Sequence, residues 1–234
     1  MAKKQSVKKT KRRWWGTLGF IVLILISLGL IFNEQIKEWL VATYQPEVTR
    51  QSVKKNQRKK ASYDFKKVKS LDFQTVAKAR LNSKEIHVVG QIYIPQSKIH
   101  LPIAKGVSNP VLALTAGTMR PDQKMGENNY PLAGHHMVSH SILFSPLYYK
   151  TKVGQKIYLT NASKVYEYRV TVRKFIAATD VQVVAPTKQK LVTLITCDAT
   201  GANRLMIRGK YVQQMAYRQA PESVRKGFAG GFNN

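Results

Sequence analysis

Short segments of alternating apolar and polar residues recur between residues 86 and 212, and this period of two constrains the fold most. The segments are bounded by Gly, Pro, Asn or Ser, which end strands and form turns. Strand composition is found at residues 87–95, 98–104, 110–117, 155–161, 165–178, 191–197 and 204–212, with a hairpin turn at 161–163. Since helical patterns between them are few, the sequence predicts one all-β barrel or sandwich over residues 71–217.

An uncharged apolar run occupies residues 14–32, and its 19 residues are enough to cross a bilayer as a helix. Residues 1–13 carry seven Lys or Arg, whereas residues 34–50 carry only Lys37 and Arg50. This asymmetry predicts a transmembrane signal anchor at 14–33 behind a cytoplasmic basic tail, with the rest of the chain extracellular. A cleaved signal peptide is the alternative, but the run is too long for an ordinary h-region and no small-x-small site directly follows it.

Three regions outside the strands have their own patterns. Residues 34–70 are expected to form an extracellular stalk or linker, in which the helix could continue over 33–42 and residues 45–70 are polar, rich in Lys and without hydrophobic period. Residues 71–81 have mixed helical spacing and predict a short helix at the start of the barrel domain. Residues 218–234 are rich in Gly and basic residues, so we expect a flexible C-terminal tail.

The charge balance is strongly basic, with 39 Lys and Arg against 12 Asp and Glu and a formal net charge of +27. Such a balance favours anionic partners, among them nucleic acid, lipid head groups and an acidic cell envelope. Because the anchor places the domain outside the membrane, we expect this charge to face an envelope and no nucleic acid.

The chain has one cysteine, Cys197, at the end of the apolar segment 191–197. One cysteine excludes an intrachain disulfide, and its count alone favours a buried hydrophobic group over a reactive thiol or an intermolecular bridge. A thiolate nucleophile would need a base or cation beside it, and acyl transfer would need a group that stabilises the oxyanion. His135 and Arg204 are candidates, although a loop histidine and a solvated arginine are the commoner interpretations.

A zinc site is a second interpretation of the same region. His136 and His140 have i, i+4 spacing, and Cys197 would complete a set of zinc ligands. The Glu of the metalloprotease helix motif is absent and no acidic residue lies nearby on that segment, so zinc is disfavoured.

Residues 193–197, TLITC, resemble the TLxTC signature of sortases, and the chain is most similar to the class A group of these Gram-positive enzymes. Further similarity lies in GTM (117–119), MGENNYPLAGHHM (125–137), LFSPL (143–147), TDV (179–181) and the RxxxRG segment at 204–209. Their order and spacing fit across about residues 70–217. The resemblance implies a closed eight-stranded sortase-type β-barrel with short helices, preceded by the transmembrane helix.

The resemblance also implies roles in cysteine transpeptidation. Cys197 would attack the Thr carbonyl of an LPXTG-type sorting signal and form a thioacyl enzyme. His135 would protonate the departing Gly amine and later deprotonate the incoming amine, and Arg204 would donate to the oxyanion or position the substrate. Thr196 would support the oxyanion with its hydroxyl or its backbone N–H. Arg208 is the second candidate for the arginine role, and His136 is expected to pack or to hydrogen-bond at the rim.

The substrate groove and the metal requirement follow from the same resemblance. The apolar Leu and Pro of the signal need apolar walls, which are expected from Ala133, Val181, Val183, Val184 and Ile195. Calcium binding in some class A members uses carboxylates before the histidine segment and in the loop that precedes the cysteine strand. Here only Asp122 and Glu127 precede the histidines and residues 181–190 contain no acid, so no cofactor and no calcium requirement is expected.

The expected partners are surface proteins with LPXTG signals, an amine of the lipid-linked peptidoglycan precursor, and the membrane. A pilin-polymerising sortase is one alternative, but the lid and the second hydrophobic segment usual in class C are not visible. A non-enzymatic envelope-binding protein that holds anionic polymer is the other alternative.

Overall fold

The alternating segments form a closed barrel. The computed structural model describes residues 7–68, 71–197 and 202–233. The strands are β1 (Val88–Ile94), β2 (Ile99–Ala104), β3 (Ala116–Thr118), β4 (Asn129–Ala133), β5 (Lys156–Thr160), β6 (Lys164–Ala177), β7 (Leu191–Cys197) and β8 (Asn203–Ala216). They pair in the order β1-β2-β3-β4-β7-β8-β6-β5, and β5 pairs with β1 to close the ring. The predicted eight-stranded β-barrel is thereby confirmed.

Seven α-helices surround or precede the barrel within the described residues. They are α1 (Val7–Ile31), α2 (Asn33–Ala42), α3 (Arg50–Gln57), α4 (Phe73–Leu81), α5 (Asn109–Leu114), α6 (Ser145–Lys150) and α7 (Glu222–Ala229). Helix α4 confirms the helix predicted at 71–81. The strand predicted at 110–117 is wrong in its first part, where α5 begins with a proline in its first turn. Proline there has the backbone angle of a helix already fixed, and the Ala and Leu that follow are good helix formers.

The stalk predicted at 34–70 is wrong, because helices α2 and α3 pack against the barrel domain. Val41, Tyr44 and Val53 are buried. Helix α3 begins at a capping box in which Thr49 and Ser52 exchange side-chain and backbone hydrogen bonds. Val53 is one apolar residue among polar and basic neighbours, so α3 leaves no hydrophobic period in the sequence, whereas α2 confirms the helix expected over 33–42.

The flexible tail predicted at 218–234 is also wrong. Helix α7 buries Val224 and Phe228 in a cluster with Tyr158 and Val165. Beyond the helix, Asn233 N donates to the carbonyl of His100 at 2.9 Å. A short segment needs only two apolar residues on one face to dock, and such a pair is too sparse to be recognised as periodic.

Helix α1 carries an apolar stretch, Trp14–Ile31, with a mean hydropathy of 2.2, which is long and apolar enough to cross a membrane. Helix α2 follows it almost without interruption. Phe32 N donates to Leu28 O and Ile36 N donates to Phe32 O, both at 2.9 Å, so helical hydrogen bonding runs through the junction.

The side chains of strand β7 alternate between the barrel interior and an outer surface, and the outer surface carries the candidate site. Val192, Leu194 and Thr196 point inward, and their neighbours on β4 and β8 are also buried core residues. The alternate residues of the same three strands share the outer surface, because side chains in register lie on the same side of a sheet. We name this surface the β4–β7–β8 face; it consists of Asn129, Pro131, Ala133, Thr193, Ile195, Cys197, Arg204, Met206 and Arg208.

Candidate active site

The thiol and the guanidinium are brought together by the pairing of two strands. Strands β7 and β8 are antiparallel, and Cys197 lies directly opposite Arg204 at their end. Side chains that face each other in an antiparallel pair share one side of the sheet, with Cβ atoms about 5 Å apart. Cys197 is a free, half-buried thiol, and Arg204 Nη1 donates to the carbonyl of Asn203 at 3.0 Å. The pairing therefore places a fixed positive charge beside the only thiol of the chain.

His135 reaches the level of the thiol through the parallel pairing of β4 with β7. Ala133 pairs with Ile195, and Gly134 N donates to Ile195 O at 3.1 Å, which extends the ladder one residue beyond β4. If this register is continued, Gly134 lies level with Thr196, and His135 lies level with Cys197. Phe144 N donates to His135 O at 3.1 Å and fixes the backbone there. A Cβ on Gly134 would lie 2.6 Å from the Phe144 ring, so glycine permits this close approach.

The surroundings of His135 favour its neutral form. Burial is the larger cause and the positive charge of Lys37 on α2 is the second, and together they lower the pKa of His135 to about 4. At neutral pH the imidazole is therefore uncharged and able to accept a proton. The sequence offers no sign of the Lys37 contribution, because about 100 residues separate the two side chains.

His136 is committed to structural contacts. Its Nδ1 donates to the carbonyl of Cys197 at 3.2 Å, which leaves Nε2 to accept from the Tyr149 hydroxyl at 3.4 Å. Tyr148 and Tyr149 pack around the ring. His136 thus supports the backbone of Cys197, and its packing role was expected from the sequence.

The zinc set considered from the sequence is not assembled. His140 stacks on the Tyr149 ring with centroids 3.7 Å apart, and His136 is held by the contacts above. Among the described residues no group of three His, Cys, Asp or Glu side chains is placed to hold a metal ion.

Thr196 faces away from the thiol, and Arg208 is bound at another part of the β4–β7–β8 face. The Thr196 side chain points into the barrel, and its hydroxyl is buried without a hydrogen-bond partner among the described residues. Arg208 donates from Nε to the Thr193 hydroxyl at 3.2 Å and from Nη2 to the carbonyl of Val183 at 2.9 Å. Its guanidinium therefore holds the loop before β7, whereas Arg204 is the arginine opposite Cys197.

The five expected groove residues lie on or above the β4–β7–β8 face. Ala133 and Ile195 pair on that face, two residues from His135 and Cys197 respectively. The other three lie in a 3-10 turn, Val181–Val184, within the loop between β6 and β7. Asn129 Nδ2 donates to Val183 O at 2.9 Å and to Ala185 O at 3.1 Å, which holds the turn against the face. Asn129 was missed in the sequence, where it is one polar residue at the start of a strand.

A thiol paired across two strands with a cation, at the level that a neutral imidazole reaches from β4, suits nucleophilic acyl transfer, and comparison with known proteins places the chain among the cysteine transpeptidases. The sortase domain family matches residues 92–212, so the chain belongs to the sortase family. Enzymes of this family act in attaching surface proteins to the cell wall.

Individual relatives agree along most of their length. Sortase A of Streptococcus agalactiae serotype III (strain NEM316) is 38% identical over 234 residues, covering 94% of this chain and 93% of that protein. Sortase A of Listeria monocytogenes serovar 1/2a (strain ATCC BAA-679 / EGD-e) is 42% identical over 183 residues, covering 76% and 82%. The solved structure of Listeria monocytogenes sortase A matches with a TM-score of 0.56 at 42% identity, over 61% of this chain and 98% of that one.

Proposed function

We propose that the protein is a membrane-anchored extracellular transpeptidase that cleaves LPXTG-type sorting signals between Thr and Gly. It transfers the surface protein to an amine of the lipid-linked cell-wall precursor. The register that sets Cys197 opposite Arg204, with His135 approaching from β4, carries the proposal. Similarity to sortase A of two species over most of their length supports the substrate class.

Acylation begins when the Cys197 thiol gives its proton to the neutral imidazole of His135. The sulfur attacks the Thr carbonyl carbon, a C–S bond forms, and the carbonyl oxygen becomes an oxyanion. Arg204 lies on the correct side of the sheet to donate to that oxyanion. As the tetrahedral intermediate collapses, the Thr–Gly C–N bond breaks and His135 gives its proton to the departing Gly amine.

Deacylation reverses these roles with a second amine. The incoming amine attacks the thioacyl carbon while His135 takes its proton, and the new amide leaves the sulfur as the C–S bond breaks. The proton then returns to the Cys197 sulfur. Because the Thr196 hydroxyl faces the barrel interior, we assign any support it gives to the oxyanion to its backbone N–H.

The binding site for the Leu and Pro of the signal is the β4–β7–β8 face beneath the Val181–Val184 turn. Ala133 and Ile195 supply an apolar floor beside the thiol, and the half-buried Val183 and Val184 border the same face further along, where Asn129 and Arg208 hold the turn. Apolar side chains of the signal gain free energy by leaving water for such a surface, while polar groups around them fix its direction.

The anchor supports a lipid-linked acceptor. Helix α1 would span the bilayer with the basic N-terminus in the cytoplasm, and α2 continues from it on the outer side. Glu38 Oε1 on α2 accepts a hydrogen bond from Ser139 N at 3.0 Å, four residues beyond His135. Since Glu38 lies seven residues past the span, or about 10 Å along a helix, the site is held close to the membrane surface where a lipid-linked amine resides.

The test uses the full chain in phospholipid nanodiscs with an LPXTG peptide and a Gly- or Ala-based amine. We expect a thioacyl adduct on Cys197 by mass spectrometry and amide product when the amine is present, and neither with Cys197→Ala. Absence of the adduct in the wild-type protein would favour an envelope-binding protein without catalysis. Cleavage followed by transfer only to a pilin lysine would favour the pilin-polymerising alternative.

A further inference from the structure

The Val181–Val184 turn is held by side chains from three different elements. Its segment leaves β6 at Ala177, which pairs with Asn203 beside the active-site end of β8, and it enters β7 at Leu191 at the opposite end of the strand. The loop must therefore run along the outside of the barrel above the β4–β7–β8 face. Asn129 and Arg208, both on that face, bind the carbonyls of Val183 and Ala185 from below.

The carbonyl of Val184, which lies between Val183 and Ala185 in the chain, is held from another direction. Arg120, in the connection between β3 and β4, donates from Nη1 to Val184 O at 2.8 Å. The same guanidinium is oriented by Asp122, which accepts from Nε at 3.0 Å and from Nη2 at 3.3 Å. Only 13% of the Arg120 side chain is exposed, whereas 62% of Asp122 is exposed. A charge-assisted hydrogen bond from a largely buried, pre-oriented fork is short and stronger than a neutral one.

The backbone of Arg120 is itself held by hydrogen bonds to Gln123. Gln123 Oε1 accepts from Met119 N at 3.0 Å and from Arg120 N at 2.8 Å, while Gln123 Nε2 donates to Pro131 O at 2.9 Å. Pro131 lies on β4, so this network attaches the connection to the strand that leads to His135. The hydrogen bonds from Arg120 hold the pKa of the Asp122 carboxyl below its usual value, which keeps the orienting carboxylate charged.

We infer that Arg120 is a positioning residue of the substrate groove, whose guanidinium sets the height of the Val181–Val184 turn above the β4–β7–β8 face. The inference rests on the proposed function, since it takes the turn as a wall for the sorting signal. Arg120 lies far from the thiol along the face and touches none of the reacting groups. Its effect is exerted through the half-buried Val183 and Val184, which move when the carbonyl of Val184 is released.

The experiment compares Arg120→Ala, Arg120→Lys and Asp122→Asn with Lys124→Ala in the full chain in nanodiscs. Lys124 is a matched control, because it is an exposed cation in the same connection and contacts Glu127 at 3.8 Å. We expect Arg120→Ala to raise KM for the LPXTG peptide about tenfold with kcat within threefold of wild type, since about 1 Å of misplacement is costly in a groove. Arg120→Lys restores part of the loss because it keeps a donor, Asp122→Asn has a smaller effect, and Lys124→Ala has none.

Two further measurements make the result independent of peptide turnover. Hydrogen exchange of the amides at 181–185 should be faster in Arg120→Ala than in Lys124→Ala, while alkylation of Cys197 by iodoacetamide should be unchanged. Failure of the wild-type protein to cleave the peptide would defeat the proposed function, and exchange alone would then report whether Arg120 fixes the turn. The inference is overturned if exchange is unchanged, or if exchange rises while KM stays at the wild-type value.

Discussion

Two adjacent histidines, His135 and His136, have different surroundings, and the difference predicts unequal sensitivity to substitution. His135→Ala removes the proposed proton carrier, so we expect kcat for peptide cleavage to fall by about 10²- to 10⁴-fold. His136→Gln keeps a donor for the Cys197 carbonyl, so kcat should change by less than about tenfold. Steady-state cleavage assays on both variants, with thermal melting to verify folding, measure this. The reverse order of effects would move the catalytic role to His136.

The lowered pKa of His135 also makes a prediction about stability. An unfolded histidine binds its proton near pH 6.5, whereas folded His135 does so near pH 4. Between these values the unfolded state binds more protons, so the contribution of neutral His135 is complete above about pH 6.5 and is lost as the pH falls toward 4. We therefore expect His135→Gln to lose less stability than wild type between pH 7 and about pH 4.5, measured as urea midpoints. His87 and His100 also have lowered pKa values, but they are present in both proteins. Parallel pH profiles for the two proteins would contradict the prediction.

The two carboxylates before the histidine segment predict that calcium is not required. Asp122 is paired with Arg120, and Glu127 lies 3.8 Å from Lys124. A calcium ion needs several oxygen ligands, and here each carboxylate has a cationic partner already. We expect kcat/KM for the peptide to stay within about twofold between excess EDTA and added calcium. A large stimulation by calcium would show that these ion pairs open to admit the metal.

At the level of secondary structure, helix α7 is expected to stabilise the barrel. Phe228 is 4% exposed, and its ring packs against Tyr93, His100 and Tyr217. Truncating a buried Phe costs about 3–5 kcal/mol, so we expect Phe228→Ala to lower the free energy of unfolding by roughly that amount. Lys226→Ala on the same helix removes only a surface ion pair with Glu222 and should cost about 0.5 kcal/mol or less. Urea unfolding distinguishes them, and equal stabilities would mean that α7 is not docked in solution.

Elements with a regular period were predictable from the sequence, and contacts between distant segments were not. Strands β7 and β8 follow the alternation of inward and outward residues, which also placed Cys197 and Arg204 at neighbouring ends. The turn network is different, since Asn129 meets the Thr193 hydroxyl at 2.7 Å only because β4 pairs in parallel with β7. The two residues of this contact are 64 positions apart in the chain, and the strand order alone brings them together. Such a contact leaves no local pattern in the sequence. Arg120 belongs to the same class, as one more cation in a chain with 39 of them.

Across the whole molecule, the apolar helix α1 and the catalytic barrel are joined by packed helices. Lys37 is buried on α2, where its Nζ donates to Glu34 at 2.8 Å and to the carbonyl of Leu71 at 3.4 Å. Helix α2 contacts α4, and Val41 is fully buried. The packing of α2 against the barrel domain is therefore set by side chains, and it also brings the charge of Lys37 close enough to His135 to lower the pKa of that imidazole.

This packing predicts that the barrel alone, residues 71–234, is less stable than residues 33–234. The shorter chain loses three buried apolar side chains, Val41, Tyr44 and Val53. Each buried side chain of this size contributes about 1.5–3 kcal/mol, so the melting temperature should fall by at least about 10 °C. Thermal unfolding followed by circular dichroism measures the difference.

A pair of substitutions in residues 33–234 separates packing from chain length. Val41→Ala should lower the melting temperature by several degrees, because it leaves a cavity at a fully buried position. Trp39→Ala removes a larger side chain from the same helix, but that side chain is 64% exposed, so the melting temperature should change little. Equal melting temperatures for the two truncated chains, together with no effect of Val41→Ala, would return residues 34–70 to the role of a solvated stalk. The site would then be free to move relative to the membrane, and the proposed fixed approach to a lipid-linked amine would fail with it.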